Sequence, residues 1–275
     1  MRNETRLRAT PFLLGAVVSA ALFVAVYLVF VRSYMGQLVD DRAFAGADAW
    51  KGSLIDFAHS FLNVLPVASV IVACIIAVIV VAVRQNWLVF VIAVVAAVGA
   101  NGSAQLLKYG ILSRPEKGID ALSNSLPSGH TTVAASAALV VFLVASPRFR
   151  PLAAVLGSVF AIAAGASTLV EQWHRPSDVV AGLLVVAFWG SLAGCGLSWL
   201  RARTAEIPVQ ARLWPLFWVA IALAVVSAIS LVVTYVSAQG GASHLFVAYV
   251  GGVSAIAAVG FGVAVAGNRL FRALA

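Results

Sequence analysis

Apolar residues in this chain come in long uninterrupted runs, at roughly 11–31, 62–83, 87–107, 130–146, 152–171, 178–199, 213–235 and 245–267. A helix that crosses a hydrocarbon core needs about 20 apolar residues, so the runs predict eight membrane-spanning helices. The run at 130–146 is the shortest and spans only if its ends sit in protein rather than in lipid. Apart from Glu171 and Asp178 at run ends, charged residues are confined to the junctions and chain ends. The stretch 32–61 mixes Tyr34, Leu38, Phe44, Trp50, Leu54 and Phe57 with acids and Arg42, a pattern that fits an interfacial helix or a solvated loop with aromatic anchors. Residues 108–129 hold Arg114-Pro115 and Pro127-Ser128-Gly129, which break helices. Pro176 suits the first turn of the sixth span. Gly251, Gly252, Gly260, Gly262 and Gly267 in the last run predict close approach of another helix of the same chain.

Composition agrees with that pattern: 62% of the 275 residues are hydrophobic and 10% charged, with a mean hydropathy of +1.02. The fold class expected is an all-α polytopic membrane bundle, one membrane domain over 1–275. It consists of a six-span core (11–199) and two additional C-terminal spans (213–267). The first run is too long for a signal peptide and has no small-residue cleavage site before Arg32, so it reads as a retained span. Cys74 and Cys195 fall inside spans, which argues against a disulfide framework and offers no metal-ligand spacing.

Charge changes the picture by giving orientation. Arg2, Arg6, Arg8, Arg84, Arg148, Arg150, Arg201, Arg203, Arg212, Arg269 and Arg272 all fall on one side of the eight spans, and basic residues are retained in the cytoplasm. Both termini are therefore expected there. The other side carries Arg32, Arg42, Lys51, Lys108, Arg114, Lys117 and Arg175 against Asp40, Asp41, Asp48, Asp56, Glu116, Asp120, Glu171 and Asp178. The net charge of +8 thus describes a basic cytoplasmic rim suited to membrane lipid headgroups, and gives no argument for nucleic acid.

Ionisable residues at span ends point to function, because charge is costly at membrane depth. Lys108 closes the third span, Arg114 lies in the next loop, Ser128, Gly129 and His130 open the fourth, and His174 with Asp178 opens the sixth. The topology brings all of them to the extracytoplasmic face. Lys108 and Arg114 can neutralise phosphate oxygens, and the start of a helix at Ser128-Gly129-His130 offers free N–H groups to an anion. His174 and Asp178, four apart, share a helix face, so the carboxylate can hold one ring nitrogen and leave the other as nucleophile or base. His130 can act as the proton donor to a leaving oxygen. Taken singly, each cation also reads as an interfacial anchor and the Pro-Ser-Gly turn as a cap. His59 and His244 read as structural.

These residues resemble the type 2 phosphatidic acid phosphatase superfamily, which includes glucose-6-phosphatase and the vanadium-dependent haloperoxidases. Its motifs are Lys, six residues, Arg-Pro; Pro-Ser-Gly-His; and Ser-Arg, five residues, His, three residues, Asp. The second is intact as Pro127-Ser128-Gly129-His130, and the third reads Ser167-Thr168, five residues, His174, three residues, Asp178. By that resemblance His174 forms a phosphohistidine, Asp178 orients it and His130 protonates the leaving group. Lys108, Arg114, Ser128 and Gly129 hold the phosphate. Two positions depart: Lys108 and Arg114 are separated by five residues rather than six, and Thr168 stands where the family has a phosphate-binding arginine. Arg175 is the candidate replacement.

The expected activity is therefore metal-independent and cofactor-free hydrolysis of a lipid phosphate or pyrophosphate, such as a polyprenyl (pyro)phosphate, phosphatidic acid or phosphatidylglycerol phosphate. It is expected at the cell membrane, with the lipid tail entering between spans. A lipid phosphotransferase using the same histidine, and a non-catalytic transporter or scaffold with a degenerate site, are the alternatives. The sequence leaves the oligomeric state open.

Overall fold

The computed structural model describes residues 2–119, 123–199, 213–239 and 244–272, and their side chains except those of 2–8, 49–57 and 239. The expectations that fall on the side chains of Arg2, Arg6, Arg8, Trp50, Lys51, Leu54, Asp56 and Phe57, and on Asp120, Arg201, Arg203 and Arg212, lie outside the described residues. Among the described residues there is no strand. The α-helices are α1 (Arg2–Val26), α2 (Tyr34–Gly46), α3 (Lys51–Arg84), α4 (Trp87–Leu106), α5 (Gly129–Val144), α6 (Arg150–Val170), α7 (Pro176–Trp199), α8 (Trp214–Gln239) and α9 (Leu245–Arg272).

Seven of them are long and apolar enough to cross a membrane, and α5 is a shorter apolar helix of 16 residues. The molecule is a polytopic helical bundle. Its short fourth run begins inside protein: Ser128, Thr131 and Thr132 are sealed from the surface, and α5 packs on α3, α4, α6 and α7. The first-turn N–H groups, which lipid cannot satisfy, thus lie among protein groups rather than in lipid. Ser128 caps α5, its hydroxyl accepting from the Thr131 N–H at 3.4 Å and from the Thr131 hydroxyl at 3.0 Å.

The centre of the bundle is α7, which packs against α1, α4, α5 and α9 and is buried along most of its length. Large side chains on α1, α3 and α8 instead point outward, as a lipid-facing ring requires: Val17, Val67 and Ile229 are all at least 60% exposed. At one end of the bundle lie the end of α4, the start of α5, the end of α6 and the start of α7. At the other end Arg84 donates to the Val144 carbonyl at 3.0 Å, and the Arg150 guanidinium stands 5.8 Å from the Phe271 ring.

The segment expected as interfacial helix or loop is helical. Its first part, α2, turns Gln37, Val39, Asp40 and Ala43 inward and packs on α9 and α7. Ser33 caps it by accepting from the Gly36 N–H at 2.9 Å, and Gln37 donates to the Val31 and Pro115 carbonyls at 2.7 and 2.9 Å. Polar side chains with partners inside the bundle hold α2 against protein rather than leaving it on the lipid surface. Of the five glycines in α9, three serve close packing: a Cβ would lie 2.6 Å from Ser230 at Gly251, 2.6 Å from Pro176 at Gly252 and 2.5 Å from Ile162 at Gly260. At Gly262 and Gly267 a Cβ would meet nothing within 4 Å.

At Gly36 a Cβ would fall on the Val29 carbonyl oxygen, a backbone atom that cannot rotate away. Gly36→Ala is expected to cost about 1–3 kcal/mol, the usual range for forced overpacking, read as a lowered unfolding midpoint of the detergent-solubilised protein.

Candidate active site

The site is assembled around the carboxylate of Asp178, which is wholly buried. Its Oδ1 accepts from Arg114 Nη2 at 3.2 Å. Its Oδ2 accepts from the Ser125 hydroxyl at 2.6 Å and from the Arg175 N–H at 3.0 Å, and lies 3.5 Å from His174 Nδ1. Two segments, the loop between α4 and α5 and the junction between α6 and α7, thus converge on one side chain in the first turn of α7, where a carboxylate also faces the positive end of the helix dipole. The Asp178 carbonyl in turn accepts the Ser128 N–H at 2.8 Å, which ties the Pro-Ser-Gly-His turn to the same helix end.

His174 reaches this place because α6 stops just before it. Gln172 takes a left-handed conformation (φ 57°), the usual way to reverse the chain after a helix. The Thr168 carbonyl then accepts from the N–H groups of Trp173 at 2.9 Å and His174 at 3.3 Å. The Thr168 side chain, at the position of the family arginine, is fully buried and donates back to the Gly165 carbonyl at 2.7 Å. The His174 ring is buried, its Nδ1 has no acceptor other than Asp178, and Nε2 is the free nitrogen.

His130 stands in the first turn of α5, half-buried, with its ring 5.2 Å from that of Trp173. His174 and Lys108 are its electrostatic neighbours, so the two histidines and Lys108 share one place. Lys108 lies in the turn that continues α4, its ammonium 5.4 Å from the Tyr109 ring. Arg114 is sealed, and beyond its bond to Asp178 its Nε and Nη1 have no acceptor. Helix geometry likewise leaves the N–H groups of Gly129 and His130 without acceptors in α5. Buried donors are seldom left unpaired, and these belong to a cation and to the positive end of a helix. The arrangement can hold a multiply charged anion beside an oriented imidazole. Among the described residues no three His, Cys, Asp or Glu side chains are grouped to hold a metal.

The structure brings Lys108, Arg114, Ser128, Gly129, His130, His174 and Asp178 to one end of the bundle. Arg175 is engaged elsewhere: its guanidinium donates to Asp41 at 2.8 Å and stacks 4.9 Å from the Phe44 ring, both on α2. His59 is exposed and lies 3.5 Å from Glu171, and His244 is exposed at the start of α9. Sequence reasoning missed Ser125, Asn124 and Asp40. Asn124 pins the loop by donating to the carbonyls of Lys108, Leu112 and Leu126 at 3.1, 3.3 and 3.1 Å. Asp40 accepts from the Ser177 N–H at 3.1 Å and hydroxyl at 2.5 Å, so α2 caps α7 from outside. The visible signal was the Asp40-Asp41 pair in a segment otherwise read as interfacial.

A family model described as the PAP2 superfamily matches residues 16–195. The chain belongs to that superfamily. No curated protein and no solved structure matches it. Membership in the PAP2 superfamily supports a phosphoric ester hydrolase, and the apolar helices make this PAP2 protein a multi-pass membrane protein. The matched span ends within α7, so α8 and the whole of α9 lie beyond it.

Two predictions concern α2. Burial, then the Asp178 charge, push the Asp40 carboxyl up from 3.8 to about 7, against the hydrogen bonds from Ser177 and the charge of Arg114. A folded pKa above the unfolded one means that the fold binds this proton more tightly. The stabilisation is complete below about pH 4 and is lost as pH rises through 7, up to about 4 kcal/mol in all. Asp40→Asn removes the titration, so between pH 4 and 8 the unfolding midpoint of the wild type should fall relative to that of the variant. Separately, Arg175→Ala and Asp41→Ala should lower stability by similar amounts, and the double variant should add little, as expected of two ends of one contact.

Proposed function

We propose that this PAP2 protein hydrolyses a lipid phosphate or pyrophosphate at the extracytoplasmic face of the cell membrane, through a phosphohistidine on His174. The observation that carries the reading is Arg114, whose buried guanidinium keeps Nε and Nη1 without acceptors while Nη2 grips the carboxylate that faces His174. A phosphate seated there would receive charge-assisted bonds from Arg114, the charge of Lys108 and the N–H groups of Gly129 and His130. Ser128 supports that seat by capping α5 and fixing its N-terminus to α7.

With Nδ1 held by Asp178, Nε2 of His174 attacks phosphorus in line. The N–P bond forms as the P–O bond to the lipid breaks, and His130 protonates the departing oxygen. Water, deprotonated by His130, then releases phosphate and restores His174. Arg175, held by Asp41 and Phe44, is assigned to orienting the His174 segment from α2. On that assignment Thr168 leaves the pocket one cation short of the family pattern. A charge-assisted bond is worth about 1.5–3 kcal/mol, or roughly ten- to a hundredfold in rate.

The lipid assignment is supported by the depth of the site among spanning helices. Helices α3 and α4 both pack on α5 and barely touch each other, which favours the gap between them as the entry for the tail. The extracytoplasmic placement rests on the arginines at the opposite end, Arg84, Arg148, Arg150, Arg269 and Arg272, under the positive-inside rule.

The test is phosphate release by the purified protein in detergent, over a panel of lipid phosphates with water as the only acceptor. Release should fall about a thousandfold or more in His174→Ala and roughly ten- to a hundredfold in Arg114→Ala. Release only when a lipid or sugar acceptor is added would favour phosphotransfer. Undiminished release in His174→Ala would overturn the mechanism.

A further inference from the structure

On the far side of α7 from Asp178, between α1, α5, α6, α7 and α9, lies a cavity of about 450 Å³, in the size range of small-molecule sites. It is apolar in effect as well as in composition. Its serines, Ser19, Ser158 and Ser191, donate to carbonyls of their own helices at 2.8, 2.8 and 2.9 Å. Their hydrogens are thus spent within the helices, and three scattered serine oxygens are the only polar side-chain atoms in the lining, too few for a sugar, an ion or a chain of waters, each of which needs several polar partners. The cavity is also separate from the catalytic site, because the buried side chains of Thr131, Val179 and Ile256 meet around Gly165 between them.

One corner of it is closed at the basic end, where α1 and α9 touch: the Phe12 and Phe271 rings are 5.0 Å apart and Phe142 stands 5.3 Å from Phe271. Farther along, both helices pack on α7. Along α9 the lining runs from Val259 to Phe271, about 18 Å at 1.5 Å per residue, slightly more than half of a hydrocarbon core of about 30 Å. Well-packed interiors do not keep such voids empty. Here the space is kept open by Gly262 and Gly267, both in the lining and both without an atom within 4 Å of a would-be Cβ. Beside the closed corner Arg150 stacks on Phe271, and Arg269 and Arg272 occupy the last turn of α9.

We infer that this cavity binds one hydrocarbon tail of an anionic phospholipid from the leaflet at the basic end, with the phosphate at Arg269 and Arg272. Basic clusters between spanning helices on that side are suited to such headgroups. The site goes beyond the hydrolase reading and does not depend on it: the lipid is a resident that fills the seam between the matched PAP2 region and α9, and is not turned over.

The experiment is native mass spectrometry of the purified full-length protein with added phosphatidylglycerol or phosphatidylcholine. The same protein is also photolabelled with a phosphatidylglycerol that carries a diazirine near one tail end. The expected result is retention of phosphatidylglycerol over phosphatidylcholine, with label on the lining segments of α1 and α9. Gly262→Phe and Gly267→Phe, which fill the open space, should lower retention at least about tenfold, since exclusion of two methylenes already amounts to that. Gly102→Phe, which also meets nothing within 4 Å but lies on α4 outside the lining, should retain the lipid. Arg269→Ala with Arg272→Ala should remove the preference for phosphatidylglycerol. Equal retention of the two lipids by the wild type, or label confined to α3 and α8, overturns the proposal. The labelling of the wild type distinguishes these outcomes even if a glycine variant does not fold. Loss of phosphate release alone would bear on the hydrolase reading and not on this site.

Discussion

A carboxylate taken out of water between spanning helices is stable only if its lone pairs are occupied and its charge balanced, since the cost of burying it bare is several kcal/mol. Asp178 meets that condition with four groups from two parts of the chain: the Arg114 guanidinium and the Ser125 hydroxyl from one loop, and the Arg175 N–H and the imidazole of His174 from another. Each partner explains a local feature. The loop after α4 must fold inward to deliver Arg114 and Ser125, and Asn124 pins it there. The chain between α6 and α7 must reverse sharply to set His174 over the first turn of α7. Removing one partner from such a buried pair typically costs about 3–5 kcal/mol, so the same bonds hold the fold and orient the imidazole.

A second carboxylate, Asp40, extends this arrangement to α2. It caps α7 through Ser177 while its neighbour Asp41 takes the Arg175 side chain. Two acids and the N-terminus of one helix therefore bracket the segment 174–178 from both sides. Asp40 and Asp178 repel each other, and burial already favours the protonated form of Asp40. Partial protonation of Asp40 at neutral pH lessens the negative charge that α2 brings beside Asp178. What remains open toward the anion is positive: the unpaired nitrogens of Arg114, Lys108 and the start of α5.

The fold was legible because a bilayer imposes one rule, about 20 apolar residues per span, and seven of the eight runs obeyed it. Even the short run at 130–146 carried its own explanation, since α5 starts among buried polar side chains. Much of the candidate site was legible too, because His174 lies just before α7 with Asp178 in its first turn, and Pro127-Ser128-Gly129-His130 opens α5. What escaped was whatever depends on packing between distant segments. Arg175 stands next to His174 in sequence and reads as a phosphate ligand, yet α2, more than a hundred residues away, takes its side chain. Ser125 and Asn124 look like ordinary loop residues, because their role appears only when the loop closes on Asp178. The glycines of α9 look alike in sequence, and only the neighbours show that Gly251, Gly252 and Gly260 admit close contact while Gly262 and Gly267 border open space.

In the proposed mechanism the Asp178-held imidazole of His174 is the group that bonds to phosphorus, and every other assignment in the site follows from that one. It is tested most directly by rapid quenching of the protein with a ³²P-labelled lipid phosphate under alkaline conditions, followed by peptide mapping. Label that is stable in base, labile in acid and carried by the peptide containing His174 is the predicted result, with none trapped in Asp178→Ala. Turnover with label on a serine or an aspartate, or with no phosphorylated protein at any quench time, would contradict it.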